Sequence, residues 1–396
     1  MNAINSKKLK ICHVITRMII GGAQENTLLS VIGLADKGHE VVLLTGPTTG
    51  PEGKLLEKNV ETLKSRKNIE IVEYPNLVRE INPIKDIKAY FDLKTYFKKS
   101  NFDVVHTHSS KAGIIGRMAA WDAKVPFVVH TIHGQAFHRY EKWWKNSLYI
   151  LLERYASKKC HKILAVAQAM IEQAIDNKVA GRAKYKVVYS GMEIELFLNT
   201  KSDLELKRKL GIKSNTLVVG TLARLFHLKG YDHIVKIARG VIQKVPNALF
   251  LLIGDGILRN SIKKEIADAK LKDYFVFAEL IPPEQIPSYL SIIDVLVHLS
   301  LREGLPRSVV QSLASGKPAV AFNIDGTPEV LINGKTGYIT EPYEIEKVTS
   351  HLIALLLDKN LREEMGKNGR ELVRHKFDWK TMVNELEFEY YNALPP

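Results

Sequence analysis

Glu303 and Gln311 are the side chains whose types and spacing point most directly to chemistry. They lie in Arg302-Glu303-Gly304-Leu305-Pro306 and in the helical run that follows it. Glu303 offers two acceptor oxygens, enough for two adjacent sugar hydroxyls. Gln311 both donates and accepts, so it can hold hydroxyls without charge. Pro306 suits the first turn of a helix, where its missing N–H is no loss. Gly304 lets backbone approach a ligand closely. The free N–H groups at such a helix opening, around Gly304 and Leu305, favour an anion or a negative oxygen. A hydroxyl-rich, phosphate-bearing ligand fits this pattern. A helix cap at Glu303 with a solvated Gln311 fits it too.

A second constellation is the segment 220–230, GTLARLFHLKG. Arg224 is a fork donor and Lys229 a point charge. Together they can neutralise a diphosphate and stabilise it as a leaving group. Two basic residues on a loop can equally be solvent-exposed. Gly21 and Gly22, in IGGAQ, allow close approach of a phosphate or form a plain tight turn. Histidines recur in VVHTHSSKAG (His106, His108) and VVHTIHG (His130, His133). His133, just before Gly134, is best placed to touch a substrate. His108 and Lys111 are further candidates for ligand contact in the same half of the chain. Trp143 and Trp144 sit among Arg139, Lys142 and Lys145, a mixture that suits a membrane interface. Core tryptophans on a helix with a wet basic face suit it as well.

The elements that must position these groups alternate between strand and helix. Strands are predicted near 9–16, 40–45, 69–73, 103–107, 126–131, 161–166 and 185–189. The rhythm restarts at 216–222, 248–253, 273–277, 294–298 and 318–322. Helical patterns fill the gaps, for example at 23–36, 84–99 and 111–121. Strand–helix alternation predicts parallel sheets covered by helices on both faces. Two such series predict two Rossmann-like units, with ligands at the carboxyl ends of the strands. The expected boundaries are 1–190, 191–376 and a terminal helix over 377–396. Trp379, Met382, Leu386 and Tyr390 share one face of that helix.

The chain has 396 residues, 45% hydrophobic and 25% charged, as in a soluble globular protein. No run of about 18 apolar residues predicts a membrane span. Cys12 and Cys160 are the only cysteines, which argues for a reducing compartment and buried thiols. The net charge is +14, and residues 1–190 carry 30 Lys and Arg against 17 Asp and Glu. That asymmetry suits an anionic partner, membrane lipid or a phosphate-linked substrate, or else a solvated basic surface.

Other motifs fall short. NGKTG at 333–337 lacks the first glycine of a phosphate-binding P-loop, because Glu329 stands there. No Asp-x-Asp clamp for a metal-bound diphosphate appears, and the histidines lack metal spacing with Cys or a second acid. Neither a metal nor a cofactor is expected. Nucleic-acid binding would need stacking aromatics interleaved with basic residues, and that pattern is missing.

Taken together, GGAQ, VVHTIHG, ARLFHLKG, EGLPRSVVQSLASGKPAVAF and the final FDW helix resemble the family 4 glycosyltransferases of bacterial polysaccharide and lipopolysaccharide synthesis. The likeness covers nearly the whole chain. It implies the GT-B architecture: two Rossmann-like domains facing across a cleft, with the terminal helix crossing back to the first. It implies an acceptor-side first domain, a donor-side second domain and retaining transfer from a nucleotide-diphosphate sugar, a UDP-sugar foremost. The acceptor would be a glycan or lipid-linked, and the site cytoplasmic, peripheral on an anionic membrane.

In the family's Glu-x7-Glu signature the first Glu contacts the transferred sugar and the second the nucleotide ribose. Glu303 matches the first, while Gln311 departs from the second. The resemblance further implies diphosphate contacts at Arg224, Lys229, Gly21 and Gly22, and an active-site histidine at His133. The competing readings are a sugar-nucleotide epimerase of the same architecture and a non-catalytic nucleotide-sugar binding protein.

Overall fold

A computed structural model of the protein describes residues 7–48 and 55–394. The chain divides into two compact units. One comprises Met1–Met192 with Trp379–Pro396 and the other Glu193–Asp378.

The first unit is built on strands β1 (Lys10–Ile15), β2 (Glu40–Thr45), β3 (Ile69–Glu73), β4 (Val104–His108), β5 (Phe127–Ile132), β6 (Lys162–Ala165) and β7 (Tyr185–Val187). They form one parallel sheet in the order β3-β2-β1-β4-β5-β6-β7. The register pairs Ile11 with Val41 on one side and with Val104 on the other. β1, β4 and β5 are buried almost throughout, as their near-continuous apolar runs require of strands covered on both faces.

The helix Pro83–Ser100 shows why local sequence places these elements. Asn82 caps it by accepting from Lys85 N–H at 3.1 Å, Pro83 opens it, and Asn101 ends it in the left-handed conformation at φ 51°. The terminal helix Trp379–Ala393 belongs to this unit and packs on the helix Gly22–Asp36. Met382, Val383, Leu386 and Tyr390 are all buried there, and each apolar side chain contributes roughly 1.5–3 kcal/mol. The close approach depends on Gly33, where a Cβ would lie 2.5 Å from Val383 Cγ2. Gly191 serves likewise, since a Cβ there would meet the Trp379 backbone at 2.5 Å. Phe377, expected in this helix, instead ends the preceding helix Lys359–Lys376.

The second unit contains β8 (Leu217–Leu222), β9 (Ala248–Ile253), β10 (Phe275–Phe277), β11 (Val295–His298), β12 (Ala319–Phe322) and β13 (Gly337–Thr340). They form a second parallel sheet, β10-β9-β8-β11-β12-β13. β13 was not expected from sequence. It has four residues, only two of them buried, and begins with Gly337 at φ 155°. Such a short, half-wet edge strand carries little pattern.

In both sheets the strand order reverses between the first and fourth strands. That is β1 beside β4 in the first unit and β8 beside β11 in the second. In sheets of this kind ligands bind outside the carboxyl ends of the strands at this reversal. Thr16, after β1, and Ser109, after β4, meet there with hydroxyls 2.7 Å apart.

Candidate functional site

In the second unit, the loop after β8 and the loop after β11 meet at the same kind of switch point. Lys229, on the first, and Glu303, on the second, form an ion pair with Nζ 2.5 Å from Oε1. The side chains are only 22% and 16% exposed. His298, the last residue of β11, brings Nε2 to 3.4 Å from the same carboxylate oxygen, an electrostatic contact rather than a hydrogen bond. Its Nδ1 lies 3.2 Å from the Ser308 hydroxyl. Glu303 N–H donates to Asp325 Oδ2 at 2.6 Å, which holds the backbone of the loop.

Burial by itself would raise the Glu303 pKa. Lys229, and then His298, outweigh it and hold the carboxyl well below the usual carboxylate range. Glu303 is therefore ionised throughout the working pH range. Lys229 has three N–H donors and uses one on Glu303, so it can still meet an anion.

The backbone around Lys229 is tightly specified. Leu228 has φ 65°, and its carbonyl accepts from Leu301 N–H at 2.8 Å and Ser300 Oγ at 3.2 Å. Gly230 sits at φ 79°, and a Cβ there would lie 2.3 Å from the Leu299 carbonyl oxygen. The two loops are thus sewn together by backbone contacts before any side chain acts. Arg224, earlier on the first loop, lies with its guanidinium 4.9 Å from the Phe226 ring centroid.

The histidines of the first unit also gather. His108 Nδ1 lies 3.0 Å from His133 Nε2, and His13 Nδ1 lies 3.0 Å from His108 Nε2. His106 is held by Tyr390 at 2.6 Å and Thr131 at 2.7 Å. His133 is half-buried, whereas His13, His106 and His108 are buried. Burial first, then the neighbouring imidazoles, hold His106 and His108 well below the ordinary histidine pKa. Burial alone lowers His13 to about 3. All three are neutral in the physiological range. His130, on the other face of the sheet, is kept neutral by burial and the nearby Arg117.

Residues 20–196 match the family described as Glycosyltransferase Family 4, and residues 202–372 match Glycosyl transferases group 1. An Escherichia coli protein, UDP-Gal:alpha-D-GlcNAc-diphosphoundecaprenol alpha-1,3-galactosyltransferase, is 30% identical over 391 residues, covering 98% of each chain. The chain is a family 4 glycosyltransferase.

Capsular polysaccharide biosynthesis glycosyltransferase CapM of Staphylococcus aureus is 27% identical to this glycosyltransferase, over 74% of this chain and 77% of CapM. The crystal structure of Anabaena HepE in complex with UDP and glucose superposes with a TM-score of 0.79 at 20% identity, covering 96% of this chain and 99% of HepE. The glycosyltransferase has the GT-B fold, with two parallel-sheet Rossmann-like units.

The remaining expected residues of the glycosyltransferase fall as follows. Gln311 is half-buried on the helix Arg307–Ala314, and Pro306 stands just before that helix rather than in its first turn. Gly304 is half-buried and Leu305 buried, and the Gly304 carbonyl accepts from Gly326 N–H at 3.2 Å. Gly21 precedes the helix Gly22–Asp36 in an extended conformation that any residue can adopt. Its freedom of φ is therefore not what the position requires.

His108, expected on the acceptor side, is 1% exposed and reaches outward only through His133. Lys111 pairs with Asp86 at 2.5 Å and also donates to the Glu80 carbonyl, so its charge is already engaged. The alternative of core tryptophans is overturned, because Trp143 is 80% and Trp144 50% exposed. His298 and Asp325 were missed from sequence. The only signal for His298 was its place at the end of a predicted strand, DVLVH. Asp325 gave none, lying in a loop at φ 43°. Among the described residues, no helix is long and apolar enough to cross a membrane.

Proposed function

We propose that this glycosyltransferase moves a sugar, with retention, from a UDP-sugar to a lipid-linked or glycan acceptor in cell-surface polysaccharide synthesis. The observation that carries the reading is the Lys229–Glu303 pair with His298 beside it. A cation for the leaving diphosphate and an ionised acceptor for sugar hydroxyls are held within one contact of each other. Arg224 adds a second cation to the diphosphate, and Gln311 takes the ribose. His133 hydrogen-bonds the transferred sugar. The Escherichia coli relative, named for a UDP-galactose donor and a diphosphoundecaprenol-linked acceptor, favours that donor and acceptor class.

In the transfer step the bond from C1 to the leaving phosphate oxygen breaks, and its electron pair stays on the diphosphate. The acceptor oxygen attaches to C1 on the same face, and its proton passes to the departing phosphate oxygen. Arg224 and Lys229 stabilise the charge that develops there. Glu303 is committed to Lys229 and suits hydroxyl binding better than covalent attack.

The acceptor reading is supported by an exposed apolar face. On the helix Trp143–Ser157, Trp143, Trp144, Leu148, Leu151, Leu152 and Tyr155 are all exposed at helical spacing. Lys142, Lys145 and Arg154 flank them. Aromatic and aliphatic residues beside basic ones suit the interface of an anionic cytoplasmic membrane.

The test is a screen of UDP-sugars, UDP-galactose first, against a GlcNAc-diphospholipid acceptor, with the anomeric configuration of the product read by NMR. An α-linked product is expected. Conversion of the UDP-sugar to an isomer without acceptor would establish the epimerase reading instead. A product of inverted configuration, or a sugar trapped covalently on a side chain, would overturn the same-face step.

A further inference from the structure

Beyond the diphosphate-side groups, the first unit holds a row of imidazoles whose protons have only two possible arrangements. The rings of His13 and His108 lie with centroids 5.2 Å apart, and those of His108 and His133 5.3 Å apart. Two nitrogen–nitrogen contacts of 3.0 Å join them, His13 Nδ1 to His108 Nε2 and His108 Nδ1 to His133 Nε2. His13 and His108 are buried and neutral. A neutral imidazole has one N–H and one bare nitrogen. The protons of such a chain must therefore all run in the same direction.

His13 Nε2 decides which direction. It is buried and has no hydrogen-bond partner among the described residues. If each ring donated towards His13, the chain would end on a buried N–H with no acceptor, and orphaned buried donors are rare. If each ring donates through Nδ1 towards His133, the chain ends on an unshared lone pair instead. His106 contributes no alternative path, since Tyr390 and Thr131 occupy both its nitrogens.

We propose that His13 and His108 are positioning residues that lock His133 as the Nδ1–H tautomer. His133 Nε2 is occupied in accepting from His108, so His133 meets a substrate only as a hydrogen-bond donor through Nδ1–H. It does not take the acceptor's proton, which agrees with that proton's passage to the leaving phosphate. The substrate half of this statement rests on the proposed contact of His133 with the transferred sugar. The tautomer half does not.

The experiment is nitrogen NMR on the full chain labelled at histidine, without ligand and with UDP. Protonation at Nδ1 of His13, His108 and His133 is expected in both states. A proton on His133 Nε2 overturns the proposal. His108→Leu removes the donor, and His108→Asn places an amide nitrogen where Nδ1 stood. His108→Leu is expected to mix the tautomers of His133. It should lower kcat about tenfold, the worth of roughly one net hydrogen bond, while the donor KM changes little. His108→Asn should restore the single tautomer and most of kcat. Equal impairment of the two variants overturns the positioning role. Should His108→Leu fail to fold, the wild-type tautomer still decides. That measurement needs no turnover, so failure of the transfer assay and failure of this proposal are separate results.

Discussion

Replacing Lys229 by Met keeps an unbranched stem in place and removes the charge that holds Glu303 ionised. The Lys229 and Glu303 side chains are 22% and 16% exposed, so the pair is partly screened. Removing one partner of a fully buried pair costs about 3–5 kcal/mol, and exposed pairs are worth about 0–1 kcal/mol. A cost of about 2 kcal/mol is the reasonable expectation for this intermediate case. His298, at 3.4 Å, offers Glu303 only a weak substitute.

The pH dependence separates this account from simple loss of packing. In the wild type the Glu303 pKa lies well below its unfolded value, so its stabilisation is present above about pH 4.3 and is lost as pH falls through the folded pKa. In Lys229→Met, burial dominates and the folded pKa rises above the unfolded one. The variant is then penalised at neutral pH, and the penalty fades as acid protonates the carboxyl. The stability gap between the two proteins should be widest near pH 7 and narrow towards pH 4.5. Urea denaturation at four pH values measures it. A second readout is kcat, expected to fall about 10²–10³-fold if Lys229 stabilises the leaving diphosphate. Glu303→Gln added to Lys229→Met should recover much of the stability and none of the activity. A gap that stays constant from pH 4.5 to 7.5, or a double variant that shows no coupling, would refute the reasoning.

Other perturbations test other parts. Gln311→Glu should leave UDP-sugar affinity similar or tighter by calorimetry if that position meets the ribose, and a large loss means it does something else. Tyr390→Phe leaves the buried His106 Nδ1 without its 2.6 Å partner and should cost about 1–3 kcal/mol in denaturant. Trp143→Ser combined with Leu151→Ser should weaken sedimentation with anionic liposomes, and wild-type binding should fall as salt rises. Equal binding to neutral and anionic liposomes would sink the membrane reading.

Much of the fold was legible because buried parallel strands leave uninterrupted apolar runs, as in ICHVI of β1 and ALFLLI of β9. β13 escaped because GYIT is short and half-wet at the sheet edge. The Trp143–Ser157 helix shows a different limit. Its apolar residues recur at helical spacing whether the face is buried or bare, and only the packing decides which. The site was legible one loop at a time. Glu303 and Lys229 stood out by residue type and by the glycines beside them. Their direct pairing did not, because it depends on which strands become neighbours.

That neighbour relation is what the site rests on. Lys229 and Glu303 are 74 positions apart and follow strands β8 and β11, which are first and fourth in their sheet and adjacent within it. Where the order reverses, the two loops have no intervening strand to separate them. Leu228 then accepts from Leu301 and Ser300, and Gly230 supplies the conformation that lets the Lys229 backbone lie against Leu299. The first unit repeats the device at β1 and β4, where Thr16 meets Ser109 and His13 meets His108. Each sheet thus pairs a residue of its first strand segment with one from its fourth. The ion pair and the imidazole row are two uses of one topological feature. A substitution that slips the register of β8 on β11 should therefore disable Lys229 and Glu303 together.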